Sequence, residues 1–455
     1  MNRSAMDYLV AWKDSKRRKP LVLRGARQVG KSYLVRAFAG RYMDNLVEID
    51  FEKTPTVLNL FTDKSPEKIV PRLELQMGAK IVPGKTLLFL DEVQAAPEVF
   101  ACLRFFYELM PCLHVIAAGS LLEFVLEDHD FSMPVGRIEY LHLGPMTYEE
   151  YLAASGKPHL SEFLQQYAVG NDVPLPVHEQ FMGSLREFLV IGGMPEAIHT
   201  FIDTKSFLEC DKVKQSILST YMDDFSKYGS RVNTRRLQRV FRRLPHLIGG
   251  KFKHSQVDRK EQARDIGNAL HLLCLARIAY KVHHSSCNGV PLGAEIDERK
   301  FKALFLDVGL LSRACGLSLL EFENVDDVML INSGVVCEQF TGQHLLYSGH
   351  FFEEPELYYW SREKRQSAAE IDYVVSVGSE IIPIEVKAGK SGRLKSLHVF
   401  LKEKRRAFSL RFNTDIPSLL NTSAVLTTGE SMPYCLLSLP LYMVGQARRL
   451  CRDHG

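Results

Sequence analysis

The chain has 455 residues, 46% of them hydrophobic and 24% charged, which is typical of soluble globular proteins, and this length predicts about three domains. No run of roughly 18 uncharged apolar residues occurs, and residues 1–13 carry charges on both sides of a short apolar run, which argues against a membrane span and a signal peptide. Nine cysteines occur without a CxxC pair, so the sequence indicates neither a zinc ribbon nor a redox pair, and we expect a cytoplasmic protein with no membrane partner.

The first 150 residues alternate between short apolar runs and helical patterns. Residues 21–23, 46–51, 86–90 and 113–118 read as strands, and the last two runs are apolar throughout, as expected of strands buried on both faces. Strands that alternate with helices predict a parallel sheet with helices on both sides. The fold class predicted here is therefore α/β.

A phosphate-binding loop, hereafter the phosphate loop, is predicted between the first strand and the helix after it. Its sequence matches the pattern GxxxxGKS/T in full, in the structural context that gives this pattern meaning. We expect its backbone N–H groups to bind ATP, Lys31 to contact the β- and γ-phosphates, and the Ser32 hydroxyl to be a Mg²⁺ ligand. The residues of the loop are Gly25, Ala26, Arg27, Gln28, Val29, Gly30, Lys31 and Ser32.

Two acids, Asp91 and Glu92, follow the apolar run at residues 87–90. Because a strand that ends in carboxylates delivers them to the carboxyl edge of a parallel sheet, we expect both at the nucleotide. Asp91 would hold magnesium through water, and Glu92 would orient or deprotonate the attacking water. The alternative is that the two acids merely begin a solvated loop.

Two further polar residues fit an ATPase less sharply. Ser120 follows the strand at residues 113–118 and either senses the γ-phosphate or caps the next helix. Arg137 is either an arginine finger, acting in cis or from a neighbouring subunit, or a surface arginine.

Residues 148–226 predict a helical segment, and a basic block follows it. Residues 227–264 contain twelve basic and two acidic residues, so this block carries +10 and leaves −7 on the rest of a chain whose formal net charge is +3. Two helices and then two strands, at residues 277–282 and 302–306, suggest a winged helix that binds DNA phosphates. The alternatives are a solvated helix face or a patch that docks on the acidic remainder. The predicted DNA contacts are Arg235, Arg236, Arg239, Arg242, Arg243, Lys251 and Lys253.

A second chemical site is predicted near the C-terminal end. Asp372 precedes Glu385 and Lys387, which are two residues apart and so face the same side of a strand. If the two strands pair, Asp372 and Glu385 can bind Mg²⁺, Lys387 can act on a water, and Glu338 on the preceding helix can complete the site. The alternative is a purely structural cluster in which the lysine supplies the positive charge.

These motifs together resemble those of bacterial and archaeal AAA-type ATPases with a C-terminal DUF4143 region. The resemblance runs from about residue 20 to residue 412, and it implies a winged helix followed by a restriction-endonuclease-like tail of the PD-(D/E)xK kind. Ile371 stands before Asp372, where the motif name has proline. The matching segments are residues 24–32, 90–94, 136–137, 192–195, 302–311, 359–360, 370–372 and 385–387.

The expected organisation has five parts. Residues 1–150 form the P-loop ATPase core, 151–226 a helical lid, 227–312 the winged helix, 313–415 the nuclease-like α/β domain and 416–455 a C-terminal extension. The expected function is a DNA-associated ATPase with ATP and Mg²⁺ as cofactors. The alternative is an ATP-dependent signalling or scaffold switch with a catalytically silent tail, and assembly into a homo-oligomer stays open.

Overall fold

A computed structural model describes residues 1–120, 122–124, 136–228, 233–317, 325–363, 368–389, 394–425 and 431–453. These residues fall into two compact units. The first unit comprises residues 1–144, 275–278 and 350–354, and the second contains the remainder.

The first unit is built on a parallel sheet, as the sequence predicts, but the sheet has five strands and the fifth, β5, was not expected. The strands lie in the order β2-β3-β4-β1-β5, and every neighbouring pair is parallel. The strands are β1 Leu21–Arg24, β2 Asn45–Asp50, β3 Thr86–Asp91, β4 His114–Ala118 and β5 Glu139–His142. The helices are α1 Ala5–Asp14, α2 Lys31–Tyr42, α3 Pro66–Met77 and α4 Pro97–Leu109, with 3₁₀ turns at Pro55–Phe61 and Val93–Ala95.

The register of this sheet brings three strand ends together. Every residue of β3 and β4 is buried, which explains the unbroken apolar runs at residues 87–90 and 115–118. Leu23 of β1 is level with Ala118 of β4, and Ala117 of β4 is level with Leu90 of β3. The segments that follow β1, β3 and β4 therefore emerge at one edge, the carboxyl edge where α/β sheets bind ligands.

The second unit begins with a series of helices. They are α5 Tyr148–Ala154, α6 Pro158–Gln166, α7 Leu175–Ile191, α8 Pro195–Thr204, α9 Phe207–Asp224, α10 Thr234–Arg243, α11 His254–Val257 and α12 Ala263–Leu275. Later helices are α13 Val308–Ala314, α14 Val325–Leu346, α15 Lys395–Lys404 and α16 Ala447–Arg452. Short 3₁₀ turns occupy Phe225–Tyr228, Leu244–Leu247, Leu292–Glu295 and Leu441–Gln446. Across the described parts of the chain, no helix combines the length and apolar character needed to cross a membrane.

An eight-stranded mixed sheet forms the rest of the second unit, in the order β12-β13-β11-β10-β9-β8-β6-β7. The pairs β6–β8, β10–β11 and β11–β13 are parallel, whereas the other neighbours are antiparallel. The strands are β6 Ala279–Ser285, β7 Ile296–Phe305, β8 Leu357–Arg362, β9 Ala369–Val377, β10 Glu380–Val386, β11 Phe408–Asn413, β12 Ser418–Val425 and β13 Ser431–Pro440.

This sheet differs from the domain boundaries expected from the sequence. The hairpin β6–β7, expected as the wing of a separate domain ending at residue 312, pairs through Val282 with Leu357 of β8. The expected extension after residue 415 supplies β12 and β13, and β13 pairs with β11. Strands from three predicted segments thus share one sheet, because strand pairing joins residues that no local pattern connects. The first compact unit contains residues 1–144 of the expected ATPase core at 1–150.

A buried aspartate ties together two turns in the second unit. Asp307 accepts hydrogen bonds from the backbone N–H of Leu310, at 3.0 Å, and of Gly193, at 2.6 Å. Gly192 lies beside it with φ of +83°, and a Cβ on Gly192 would be 2.2 Å from Asp307 Oδ1 and 2.8 Å from the backbone of Gly309. The Gly-Gly step after α7 is therefore required by close approach.

We expect Gly192→Ala to lower the free energy of unfolding by at least about 2 kcal/mol, because the new methyl group meets backbone and a buried carboxylate at a positive φ. Gly183→Ala is the matched control, since Gly183 lies within α7 with no atom within 4 Å of its Cβ position. That control should be neutral or slightly stabilising. Thermal unfolding monitored by circular dichroism compares the two, and equal midpoints would contradict this account of the turn.

Candidate functional site

The phosphate loop connects β1 to α2 through an unusual backbone path. Gly25 has φ of +153°, and a Cβ there would be 2.2 Å from the carbonyl oxygen of Leu143. Gln28 and Gly30 also have positive φ values, of 64° and 92°. The buried Arg3 fastens the loop, because its guanidinium donates to the carbonyl of Val29 at 2.9 Å. The loop is therefore held in one curved conformation.

Lys31 lies buried at the start of α2. Its Nζ donates to the carbonyl oxygens of Gly25, at 2.9 Å, and Ala26, at 2.8 Å. Burial lowers the pKa of Lys31 to about 8, although the nearby carboxylates of Glu92 and Asp91 act in the opposite direction. The ammonium is thus held inside the loop by backbone carbonyls that it can exchange for phosphate oxygens.

Ser32 and Asp91 come together from α2 and β3. The Ser32 hydroxyl donates to Asp91 Oδ2 at 2.6 Å, and the Glu92 backbone N–H donates to Asp91 Oδ1 at 3.1 Å. Burial raises the pKa of Asp91, while the hydrogen bond from Ser32 opposes that rise. A hydroxyl and a carboxylate are the hard oxygen ligands that Mg²⁺ takes in proteins, so this pair fits the expected ion.

Glu92 is held by side chains that meet at the same sheet edge. Its backbone has φ of +54°, which is rare for a residue with a side chain and marks local strain. Its Oε2 accepts a hydrogen bond from Gln94 Nε2 at 2.5 Å and one from the Ser120 hydroxyl at 3.5 Å. Ser120 in turn accepts from Arg27 Nε at 3.0 Å. The structure therefore links Ser120 to the phosphate loop and to Glu92.

Sequence reasoning missed an ion-pair network next to the phosphate loop in the first unit. Glu123 is buried and pairs with Arg24, the residue before the loop, and with Arg277 at 3.0 Å. Arg277 also pairs with Glu354 at 2.5 Å, and Glu354 lies 3.4 Å from Arg24. Burial, followed by the charges of Arg277 and Arg24, lowers the pKa of His142 to about 3. No local signal could have found this network, because its members are far apart in sequence.

Arg137 lies at the opposite edge of the first sheet. It precedes β5, whose first residue, Glu139, is level with Leu21 at the start of β1. Arg137 Nε donates to Glu108 at 3.0 Å. The four residues of β1, about 13 Å of strand, separate this edge from the phosphate loop. The expectation of an arginine finger in cis is therefore corrected, and a finger in trans stays a proposal that requires a homo-oligomer.

The second unit brings the predicted C-terminal acids together. Strands β9 and β10 are antiparallel, with Tyr373 level with Ile384, so Asp372 and Glu385 are neighbours. Asp372 Oδ2 accepts from the backbone N–H of Val386 at 2.8 Å, and Lys387 forms an ion pair with Glu385. Burial, together with the charge of Asp372, raises the pKa of Glu385 to about 7.

A lysine that the sequence analysis did not single out lies within this acidic group. Lys302 of β7 is 3% exposed, and its Nζ lies 2.7 Å from Glu370, 3.7 Å from Asp372 and 4.0 Å from Glu338. Burial alone would lower the pKa of Lys302, but the three carboxylates outweigh burial and raise it. Burial and Asp372 raise the pKa of Glu338 to about 8, although Lys302 opposes this. Within the described ranges, no three His, Cys, Asp or Glu side chains are arranged to hold a metal ion.

Several of the predicted DNA contacts are occupied by carboxylates of the same unit. Arg236 pairs with Glu261 at 2.8 Å and with Asp265 at 3.1 Å. Arg239 pairs with Asp258 and, at 3.3 Å, with Glu261. Lys251 forms ion pairs with Glu363 and Glu370. The sequence shows that the block contains few acids, but it could not show that these acids pair with Arg236 and Arg239.

The remaining basic residues are more open. Arg235, Arg242 and Lys253 are exposed, and none of them has a carboxylate partner in the part of the chain that the structure describes. Arg243 is exposed as well and donates to the carbonyl of Gln256 at 3.2 Å. Arg231, which belongs to the basic block, lies outside the described residues.

Comparison with solved structures gives only distant likeness. PCH-2 of C. elegans is 14% identical, with 45% of this chain and 64% of that chain covered and a TM-score of 0.27, so the chain spans just under two thirds of that protein. The ORC1 protein of Aeropyrum pernix in complex with DNA is 10% identical, covering 68% and 90%, with a TM-score of 0.26. The Aeropyrum pernix ORC2 protein, in ADPNP–ADP complexes, is 11% identical, covering 69% and 88%, with a TM-score of 0.32. These scores are too low to argue from.

Family models match three segments of the chain. An AAA domain matches residues 17–152, a domain of unknown function (DUF8612) matches residues 182–321, and a second (DUF4143) matches residues 333–430. No curated protein sequence matches the chain significantly. The AAA match covers the phosphate loop, the strand that carries Asp91 and the parallel sheet between them. The chain therefore contains an AAA domain, which carries the phosphate loop, followed by a DUF4143 region.

Proposed function

We propose that the chain binds ATP with Mg²⁺ at the phosphate loop and hydrolyses it with Glu92 as the residue that activates water. One observation carries the proposal: Lys31, Ser32, Asp91 and Glu92 meet at one sheet edge, where Ser32 donates to Asp91 at 2.6 Å. Residues with this chemistry, gathered around a loop at a helix N-terminus, suit phosphoryl transfer to water.

Binding is the task of the loop and of Lys31. The backbone N–H groups of residues 25–32 and the N-terminal end of α2 attract phosphate oxygens. Lys31 exchanges its two carbonyl partners for the β- and γ-phosphates, and so stabilises charge that spreads over the γ-phosphate oxygens. Ser32 and Asp91 are the residues that would hold Mg²⁺, which supplies Lewis-acid neutralisation of the phosphate charge when bound.

Hydrolysis requires a positioned proton acceptor, and the contacts of Glu92 support this role for it. Gln94 and Ser120 hold one carboxylate oxygen, so the side chain has a fixed direction before substrate arrives. An oriented carboxylate can align a water with the γ-phosphate and accept its proton as attack proceeds. Gln94 and Ser120 act through Glu92 and are positioning residues.

We expect Glu92→Gln to bind ATP normally but to hydrolyse it at least about 100-fold more slowly, because the amide cannot accept the proton. Lys31→Ala should instead lose most ATP binding, because the phosphates lose their buried charge partner. Glu67→Gln, at an exposed position of α3, is the matched control and should leave both properties unchanged. Phosphate release and equilibrium ATP binding are measured for each variant. Turnover at the wild-type rate in Glu92→Gln would remove Glu92 from the mechanism.

ATP affinity should depend on pH through Lys31. In the nucleotide-free protein the pKa of Lys31 is lowered to about 8, whereas bound phosphates require the ammonium form. Binding should therefore weaken as the pH rises through about 8, by about tenfold at pH 9, since each further pH unit costs a factor of ten in the protonated fraction. Lys31→Arg, which stays charged, should show a flat profile over the same range. A flat profile for the wild-type protein would contradict the buried-ammonium account.

We propose, second, that the exposed face of α10 binds DNA phosphates. Arg235 and Arg242 are seven residues apart and so lie on the same side of the helix. Both are exposed without a carboxylate partner among the described residues, whereas the neighbouring Arg239 is neutralised by Asp258 and Glu261. Uncompensated arginines on one helix face are suited to the DNA backbone, which they contact without reading sequence.

The double variant Arg235→Glu, Arg242→Glu should weaken DNA binding similarly for all sequences. Each lost phosphate contact removes about 0.9 from the slope of log K against log salt, so the slope should flatten by about 1.8. Lys16→Glu with Arg17→Glu makes the same charge change at exposed residues of the first unit and should leave the slope unchanged. Fluorescence anisotropy with a labelled duplex at several salt concentrations gives both slopes. An unaltered slope in the α10 variant would exclude this face as the contact surface.

The proposal does not extend to DNA cleavage by the C-terminal cluster. Cleavage of the expected kind needs Asp372 and Glu385 to share a divalent cation. The ammonium of Lys302, 3.7 Å from Asp372, already supplies positive charge to these carboxylates. This contact favours the alternative of a catalytically silent tail.

A further inference from the structure

The acidic cluster of the second unit brings together four carboxylates, whereas a simple ion pair contains one. Four carboxylates converge on it from helix α14 and strands β9 and β10. Glu385 is buried, and the side chains of Asp372 and Glu338 are 15% and 20% exposed. Carboxylates this close together repel one another, and partial burial weakens the screening by water, so a nearby cation stabilises them. The four residues are Glu338, Glu370, Asp372 and Glu385.

The backbone of Lys302 is held on both sides at a position next to the acidic cluster. Its backbone pairs with Val282 of β6 on one side and forms a bridge with Lys251 on the other. The flanking residues Phe301 and Ala303 are buried as well, so the strand is fixed along this stretch. The side chain passes the ring of Tyr359, with Nζ 5.5 Å from the ring centroid. The paired backbone and the contact with Tyr359 hold the ammonium beside the carboxylates.

The ammonium of Lys302 contacts the same carboxylate oxygens that a shared divalent ion would need as ligands. Nζ is within 4.0 Å of carboxylate oxygens of Glu370, Asp372 and Glu338 at once. A divalent cation bound to the same oxygens would lie next to a fixed ammonium, and the two positive charges would repel strongly in a poorly solvated site. Lys387 forms an ion pair with the remaining acid, Glu385.

We propose that Lys302 is the resident cation of this cluster, that it takes the place of a divalent metal ion, and that the C-terminal module therefore works without metal. The inference concerns the second unit alone and does not depend on ATP hydrolysis. It assigns a role to a lysine outside the predicted site, and it makes the identity of residue 302 the feature that separates a metal-free module from a metal-binding one.

The test measures Mn²⁺ binding to the nucleotide-free protein, with electron paramagnetic resonance as the readout. Any Mn²⁺ binding to the wild type should be independent of Asp372. The wild type and Asp372→Asn should therefore give the same binding curve. Lys302→Met removes the ammonium but keeps the apolar stem, and it should gain one Mn²⁺ site that Asp372→Asn abolishes again. Lys281→Met is the matched control: it removes a strand lysine of β6 that lies over Phe301, 5.1 Å from the ring, and it should gain no site.

Two results would overturn the proposal. The first is Mn²⁺ binding to the wild type that disappears in Asp372→Asn. The second is a folded Lys302→Met protein that gains no site, because the carboxylates could then not have held a metal in any case. If Lys302→Met fails to fold, Lys302→Gln, which removes the charge but keeps a polar side chain, replaces it and should gain the same Asp372-dependent site.

Discussion

The parallel pairing of β1, β3 and β4 is the constraint on which the candidate ATP site depends. Because these strands run in one direction and end level with one another, the phosphate loop, the acids after β3 and Ser120 after β4 reach the same edge. The hydrogen bond between Ser32 and Asp91 then joins a helix N-terminus to a strand terminus. A shift of one residue in either pairing would turn these side chains to the other face of the sheet.

The two buried lysines illustrate opposite uses of the same functional group. Lys31 is held by neutral carbonyl groups, and burial lowers its pKa, so its charge is available to an incoming anion. Lys302 is surrounded by carboxylates, which raise its pKa despite burial, so its charge is already satisfied. An anion-binding site needs the first arrangement, and a closed ion-pair cluster has the second. The nature of the contacting oxygens, not the depth of burial, makes the difference.

The sequence could predict those features whose residues lie close together along the chain. The phosphate loop lies within eight consecutive residues, and Asp91 and Glu92 follow an apolar run. Pattern and position therefore predicted the parallel sheet, and they place the expected ATP site at its carboxyl edge. The expected nuclease-like acids are likewise read from two neighbouring strands. In each case the chemistry and the spacing occur in one short stretch.

What the sequence could not predict depends on residues that are distant along the chain. Arg277 and Glu354 reach Glu123 from far downstream, and Lys302 meets Asp372 only because β6 and β7 join the sheet of β8 and β9. The hairpin looked like an isolated wing, since its pairing partner Leu357 begins a strand more than fifty residues later. Tertiary pairing of this kind leaves no periodic signal in the strands themselves.

The central claim is that Lys31, Ser32, Asp91 and Glu92 form an ATP hydrolysis site, and a crystal structure with Mg²⁺ and a non-hydrolysable ATP analogue tests it most directly. The account predicts that the Lys31 ammonium leaves the carbonyls of Gly25 and Ala26 and contacts the γ-phosphate. It also predicts that the Ser32 hydroxyl and Asp91 face the ion, with the Glu92 carboxylate toward the water in line with the γ-phosphate. Phosphates bound elsewhere, with Lys31 still donating to both carbonyls, would contradict the account.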